Sequence, residues 1–417
     1  MPNLLIIGYV WPEPDSSAAG SRMMQLIRFF LKEYQIYFAT TAVPTPFMAD
    51  LDGLGIHSVT IELNSESFDV LLRKLSPEVV LFDRFMMEEQ FGWRVVKNCP
   101  YALKILDTED LHFLRKARQL AAKSNTELNA SSIRSDTAKR EIASIYRCDL
   151  SLIISEKEME ILKQEFGVPE FILQYHPLLI ENLELVENLP TFAERKHFIS
   201  IGNFRHEPNW DAVVQLKEKI WPRIRKEIPE AELQIYGAYP TQKVFQLNAP
   251  REGFQVRGRA DSAREVIKRS RVLLAPLRFG AGIKGKFLDA MSMGTPSITT
   301  GIGAEAMAGN HSWGGRIEDD PELFALAAAD LYKDESQWEI SQQNGFNILK
   351  DRFSRGHFEH RLWQRLRLIT QDLRQHRENN FIGAMLQHHR VNSTRNLSKY
   401  IEVKNKLLSL LNAKNAH

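Results

Sequence analysis

The feature that most narrows the fold of this 417-residue chain is an alternation, met twice, of short apolar runs with helical stretches. The first series comprises LLIIGYV (4–10), QIYFAT (35–40), SVTIEL (58–63), EVVLFD (78–83), ALKILD (102–107) and LSLIIS (150–155). A helix opens near Ser21, and the polar stretch between Leu111 and Tyr146 reads as one or two long helices. The second series is HFISIGN (197–203), AELQIYG (231–237), GFQVRG (253–258), RVLLAPL (271–277) and PSITT (296–300). Its helices run from Asn209 to about Lys226, from Asp261 and from Lys284. Apolar runs separated by helices are strands of a parallel sheet covered on both faces. Two such series predict an α/β chain of two doubly wound sheets, with a ligand cleft outside the carboxyl ends of their strands.

Length supports this division, because one core rarely grows to fill so long a chain. We expect domains over 1–178 and 197–352, joined by a linker over 179–196 that mixes acidic and apolar residues around Pro190. Helices at 322–332 and 336–350 close the second domain. An amphipathic helix from Phe358 to Leu373, within 353–375, is expected to pack back toward the first domain. Residues 376–417 form a basic, polar, helical tail.

Hydrophobic residues at 43% and charged residues at 25% are globular usage and argue against disorder. Cys99 and Cys148 stand far apart without metal-ligand spacing, so neither a disulfide framework nor zinc is indicated and a cytoplasmic setting fits. The opening MPNLLIIGYV lacks a basic n-region and reads as a buried strand rather than a signal peptide. No apolar run approaches the roughly 20 residues that span a bilayer. From Lys350 onward fourteen Lys and Arg face five Asp and Glu, a balance of +9 in a chain whose net charge is +2. That end offers a surface for an anionic membrane or an acidic partner; a solvated helix face with a loose tail is the other reading.

The densest chemical information lies in RVLLAPLRFGAGIKGKFLDAMSMGTPSITT, residues 271–300. A strand ends at Pro276-Leu277, a loop with Gly280 and Gly282 follows, and a helix begins with Lys284 and Lys286 in its first turn. Glycines let backbone approach a ligand, and free N–H groups with the helix dipole favour an anion. Lysines oppose that dipole, so a bound diphosphate accounts for them; a glycine-rich turn with Lys284 in water is the structural alternative. GxxxxGK[ST] is absent, as is G-x-G-x-x-G after the first strand, which weakens kinase-like and dinucleotide-oxidoreductase readings. Asp50-Leu51-Asp52 matches a metal-binding D-x-D without the surrounding architecture and is set aside.

On these residues the chain resembles glycosyltransferase family 4. FISIGNFRHEPNWDAV, PEAELQIYG, VRGRAD, VLLAPLRFGAGIKGKFLDAMSMGTPSITT and GIGAEAM follow one another in that family's order and spacing. The resemblance implies a GT-B fold, two Rossmann-like domains facing a central cleft, with the first domain on the acceptor side. It implies transfer from a nucleotide-sugar donor with retention at the anomeric carbon and without a metal or other cofactor. Lys286 matches the lysine on the donor diphosphate, and Gly280, Ala281, Gly282, Ile283 and Lys284 match the loop whose amides do the same. Asp289 falls where the second acid of a paired motif binds the donor ribose, while Ala281 stands where the first acid would be. Glu305 resembles an acid near the donor, and Gly20 belongs to a loop, WPEPDSSAAG, that would face the phosphates and the acceptor.

Other candidates come from position. Arg205 follows a strand at its carboxyl end, where a guanidinium can pair with a phosphate. Arg257 neighbours the expected base site, although a structural turn explains it as well. Asp107, Glu109, Asp110 and His112 crowd the exit of one strand, and crowded carboxylates beside an imidazole shift one another's titration. Asp110 and His112 are the candidates for orienting the acceptor hydroxyl or the donor sugar, and Asp83 ends the neighbouring strand. The acceptor class is a glycan, lipid-linked or small-molecule hydroxyl; no nucleic-acid partner is indicated. A sugar-nucleotide epimerase and a non-catalytic sugar-nucleotide or glycan-binding protein stay open as alternatives.

Overall fold

The computed structural model describes residues 1–180 and 188–415, with backbone alone at 389–395, 409–410 and 412–415. The part of the expected linker at 181–187 lies outside the described residues. Seven strands form the first sheet: β1 (Asn3–Gly8), β2 (Gln35–Thr40), β3 (His57–Thr60), β4 (Val79–Asp83), β5 (Leu103–Asp107), β6 (Leu150–Ile153) and β7 (Leu173–Tyr175). Their spatial order is β3-β2-β1-β4-β5-β6-β7, every pair parallel. The second sheet holds β8 (Lys196–Ile201), β9 (Leu233–Tyr236), β10 (Phe254–Gly258), β11 (Ser270–Ala275), β12 (Ser297–Thr299) and β13 (Gly315–Ile317). Its order is β10-β9-β8-β11-β12-β13, again parallel. The strand order reverses between β1 and β4 in one sheet and between β8 and β11 in the other, the positions where such sheets open a crevice.

Each sheet carries an apolar cluster on both faces. Central strands such as β4 and β5 are buried at every residue, which explains their unbroken apolar runs. The chain crosses between the domains at two adjacent points: Ile180 bridges Ser354 in parallel, and its N–H donates to the Phe353 carbonyl at 2.9 Å. Beyond the second crossing, the helix Arg355–Gln371 packs on the first sheet's helices. Leu362, Leu366 and Ile369 join that core, and Trp363 stacks on Phe29 at 4.3 Å.

The expected helical tail at 376–417 contains one long helix, Phe381–Asn415, laid against the outer helices of the first domain. It docks through polar groups. Arg94 pairs with Glu402 and Asp69 and reaches Ser398 Oγ at 3.3 Å, and Ser398 and Glu402 are buried. Leu397, Tyr400, Val403, Leu407, Leu408 and Leu411 are exposed. Among the described residues no helix is long and apolar enough to cross a membrane.

Candidate active site

A cleft of about 830 Å³ lies between the carboxyl ends of the two sheets. From the second domain it is lined by the loop after β11, where Phe279 to Lys284 lead into the helix Gly285–Ser292. Gly282 has φ +65°, and a Cβ there would stand 2.7 Å from Ile154 Cδ1 and 3.0 Å from Asp110 Cβ of the first domain. The glycine is thus required by the close approach of the two domains, whatever the loop binds. Ile283 is buried, and Ala281, where a paired acid would stand, packs against the apolar core of the first domain. Gly20 is likewise sterically fixed, since a Cβ would fall 2.2 Å from the Glu13 carbonyl oxygen.

The two lysines differ. Lys286 donates to Asn209 Oδ1 at 2.8 Å, whereas Lys284 Nζ is buried without a hydrogen-bond partner among the described residues. Burial pushes both ammonium groups down to about 8, with Glu305 opposing the shift at Lys284. Asp289 lines the same wall and meets Arg264 Nε at 3.4 Å; burial raises its carboxyl.

The opposite wall comes from the first domain. The helix His112–Ser124 opens at the exit of β5, and its first N–H groups are capped by two buried carboxylates from other helices. Glu141 accepts from His112 N (3.1 Å) and Phe113 N (3.0 Å), and Glu158 accepts from Leu111 N (2.8 Å). Acids at a helix N-terminus satisfy orphan donors and complement the dipole. They also fix His112, whose Nδ1 stands 3.4 Å from Glu141 Oε1 and 3.5 Å from Asp110 Oδ1. Burial pushes the Asp110 carboxyl up, but Arg115 and His112 outweigh it and hold the group well below the usual carboxylate range. Beneath them lies a fully buried ion pair, in which Arg22 Nε donates to Asp107 Oδ1 at 2.9 Å. Arg22 also reaches the His176 carbonyl at 2.7 Å.

Two expected residues, Glu305 and Arg257, do not line the cleft. Glu305 accepts both arms of Arg118, at 2.7 and 2.8 Å, and Arg118 also donates to the Gly280 carbonyl at 2.9 Å. Arg257 is exposed outside the cleft beside Gln255, because β10 is an edge strand whose register breaks between Val256 and Gly258. Arg259, just past the left-handed Gly258 (φ +77°), enters instead and donates to Ser16 Oγ at 2.8 Å. Arg205 lines the mouth with its guanidinium 3.6 Å from the Tyr239 ring centroid. Tyr239 donates to Glu13 Oε1 at 2.6 Å, a further bridge between the domains.

Arg118 and Arg115 escaped the sequence reading although the signal was present. With His112 they recur at i, i+3 and i+6, one face of a helix that opens on the cleft. The segments of Arg259 and Glu13, VRGRAD and WPEPDSSAAG, stood out in the sequence, but their contacts with Ser16 and Tyr239 did not, since these depend on how the domains face each other. Among the described residues no group of three or more His, Cys, Asp or Glu side chains is placed to hold a metal ion.

Comparison with known proteins adds three findings. Residues 195–334 match the family model described as Glycosyl transferases group 1. A Klebsiella pneumoniae protein, described as an uncharacterized 44.6 kDa protein in cps region, is 23% identical over 222 residues. That match covers 52% of this chain and 55% of the relative, so the chain spans about half the length of the curated protein it resembles. Among solved structures, a sucrose-phosphate synthase from Thermosynechococcus elongatus superposes with TM-score 0.67 at 14% identity, covering 88% of this chain and 99% of that one. The Anabaena HepE protein in complex with UDP and glucose gives 0.65 at 10% identity, with 88% and 99% covered. The fold is therefore GT-B, two Rossmann-like domains about a central cleft.

Proposed function

We propose that the chain is a metal-independent glycosyltransferase that moves a sugar from a nucleoside-diphosphate sugar to a hydroxyl acceptor with retention. The observation that carries this reading is Lys284: a buried ammonium without a hydrogen-bond partner among the described residues, beside Lys286, at the start of a helix where a strand of the second sheet opens on the cleft. A diphosphate supplies the missing acceptors there, and the match of residues 195–334 to a sugar-transferase family gives that diphosphate its chemical context. As the bond to the sugar breaks, charge grows on the leaving diphosphate. Lys284, Lys286 and the loop amides stabilise it from fixed positions, which is electrostatic preorganisation. The acceptor hydroxyl approaches from the first-domain wall, where Asp110 and His112 stand, and its proton passes to the departing phosphate. The relative from a cps region supports surface polysaccharide assembly as the setting.

A panel of nucleoside-diphosphate sugars, read by nucleotide release with and without chelator, tests the reading. We expect release with at least one donor, unaffected by chelator, and reduced about 10²–10³-fold in Lys284→Ala, by analogy with a lost oxyanion donor. Formation of an isomeric sugar nucleotide in its place marks an epimerase, and neither product from any donor marks a binding protein.

The same reading places the chain in the cytoplasm, at the inner face of a membrane. The exposed apolar row of the C-terminal helix supports this, flanked by exposed Lys399 and Lys404. Tyr400→Glu with Leu407→Glu should abolish salt-sensitive sedimentation with anionic liposomes, and equal sedimentation of both proteins contradicts the membrane contact.

A further inference from the structure

The first-domain wall carries a second set of polar groups that the donor reading leaves unused. Asp83, the last residue of β4, is 4% exposed and lines the cleft. Its Oδ2 accepts from Tyr9 N at 3.0 Å and from Arg84 at 3.2 Å, but its Oδ1 has no partner among the described residues. A buried carboxylate oxygen without a donor is costly, and its position on the cleft points to a donor arriving with a ligand.

The two residues beside it are held in backbone conformations that side chains normally avoid. Arg84 has φ +69° and ψ 159°, a region that glycine alone visits freely. Glu109, at the exit of the adjacent strand β5, has φ +62°. Arg84 is tied to the strand that leads into Glu109, because Arg84 N donates to the Asp107 carbonyl at 2.8 Å and Asp83 lies in register with Asp107. Both line the cleft, and the Glu109 carboxyl makes no hydrogen bond among the described residues. Strain of this kind persists where the surroundings impose it and gathers at binding sites.

The charges identify the ligand class. Arg84 is balanced by Asp83, Arg22 by Asp107 and Arg115 by Asp110, so among the described residues this wall has no spare arginine or lysine for an anionic group. Burial, followed by the Asp107 charge, pushes the Glu109 carboxyl up to about 8, so near neutral pH it donates as well as accepts. An unused acceptor, a guanidinium fork and a carboxyl of both characters match adjacent hydroxyls on an uncharged sugar ring, each of which also donates and accepts.

We infer that Asp83, Arg84 and Glu109 form the acceptor subsite and bind the hydroxyls of an uncharged sugar ring. The assignment of this sugar as acceptor rests on the transferase reading, since the wall faces the donor loop across the cleft.

Saturation-transfer NMR with a panel of methyl glycosides, on the full chain with uridine diphosphate added, tests it. Arg84→Gly is the informative variant, because glycine takes the observed backbone without strain, which offsets part of the loss of the ion pair with Asp83, while removing the guanidinium; retained cooperative unfolding confirms that the variant is folded. Glycoside signals present with the native chain should fall to baseline in Arg84→Gly and in Asp83→Asn. Absence of signal from the native chain, or equal signal from Arg84→Gly, overturns the subsite. Calorimetry with uridine, adenosine and guanosine diphosphates on the same samples separates the two readings. A native chain that takes glycoside but no nucleotide refutes the transferase and upholds the sugar site; one that takes nucleotide but no glycoside refutes the site alone.

Discussion

A lysine ammonium moved out of water loses hydration, and Lys284 and Lys286 answer by titrating about 8 rather than at the ordinary ~10.4. The cationic form is the one that binds a diphosphate. Affinity for nucleoside diphosphate should therefore be level below about pH 7 and fall as pH rises through about 8, by up to about tenfold per pH unit for each lysine. Calorimetry across that range, in buffers of different ionisation heat, should also show proton uptake on binding; an affinity constant through pH 9 contradicts the assignment. The unliganded protein shows the opposite trend. Its unfolded chain holds these protons up to the ordinary value, so stability rises between about pH 8 and 10. Spacing alone revealed the glycine loop and the lysine pair. It did not reveal that Lys286 meets Asn209, a contact made when the helix Glu207–Gln215 is brought alongside. Nor did FDRF announce the backbone of Arg84, because arginine carries no preference for the conformation it holds there.

At the scale of elements, the buried strands were legible because burial on both faces demands unbroken apolar runs. Two of the four edge strands, β7 and β13, were not, being three residues each, LQY and GRI, defined by their neighbours' ladders rather than by their own composition. The helix Arg355–Gln371 was readable from its periodicity, and its landing site on Phe29 and Trp363 was not. Elements are also pinned to one another by charge. Arg22 and Asp107, 1% and 0% exposed, tie the first helix, β5 and the crossing segment together. Asp107→Asn keeps the shape and leaves the guanidinium unbalanced, so urea unfolding of the first domain should lose about 3–5 kcal/mol. An unchanged midpoint would show that the ion pair contributes nothing.

For the whole molecule, two facing sheets and a cleft followed from the double alternation, but the closure that shapes the cleft did not. Arg118 reaches from the first domain to Glu305 and to the carbonyl of Gly280 on the donor loop. Domain approach and loop shape are thereby one event. A charge-assisted bidentate contact contributes about 1.5–3 kcal/mol. Arg118→Ala should then raise donor KM roughly 10- to 100-fold and enlarge the radius of gyration in solution scattering. A variant as compact and as active as the native chain would show that other bridges, such as Tyr239 with Glu13, suffice.

The double crossing at Ile180 and Ser354 has a consequence for synthesis on the ribosome. The second domain is continuous in sequence and is complete once residue 353 has emerged. The first is not, because Leu362, Leu366 and Ile369 belong to its core and arrive only after the second domain. The half of the molecule translated first therefore finishes folding second, and until then it waits with Phe29 and Phe30 uncovered, a natural client for a chaperone.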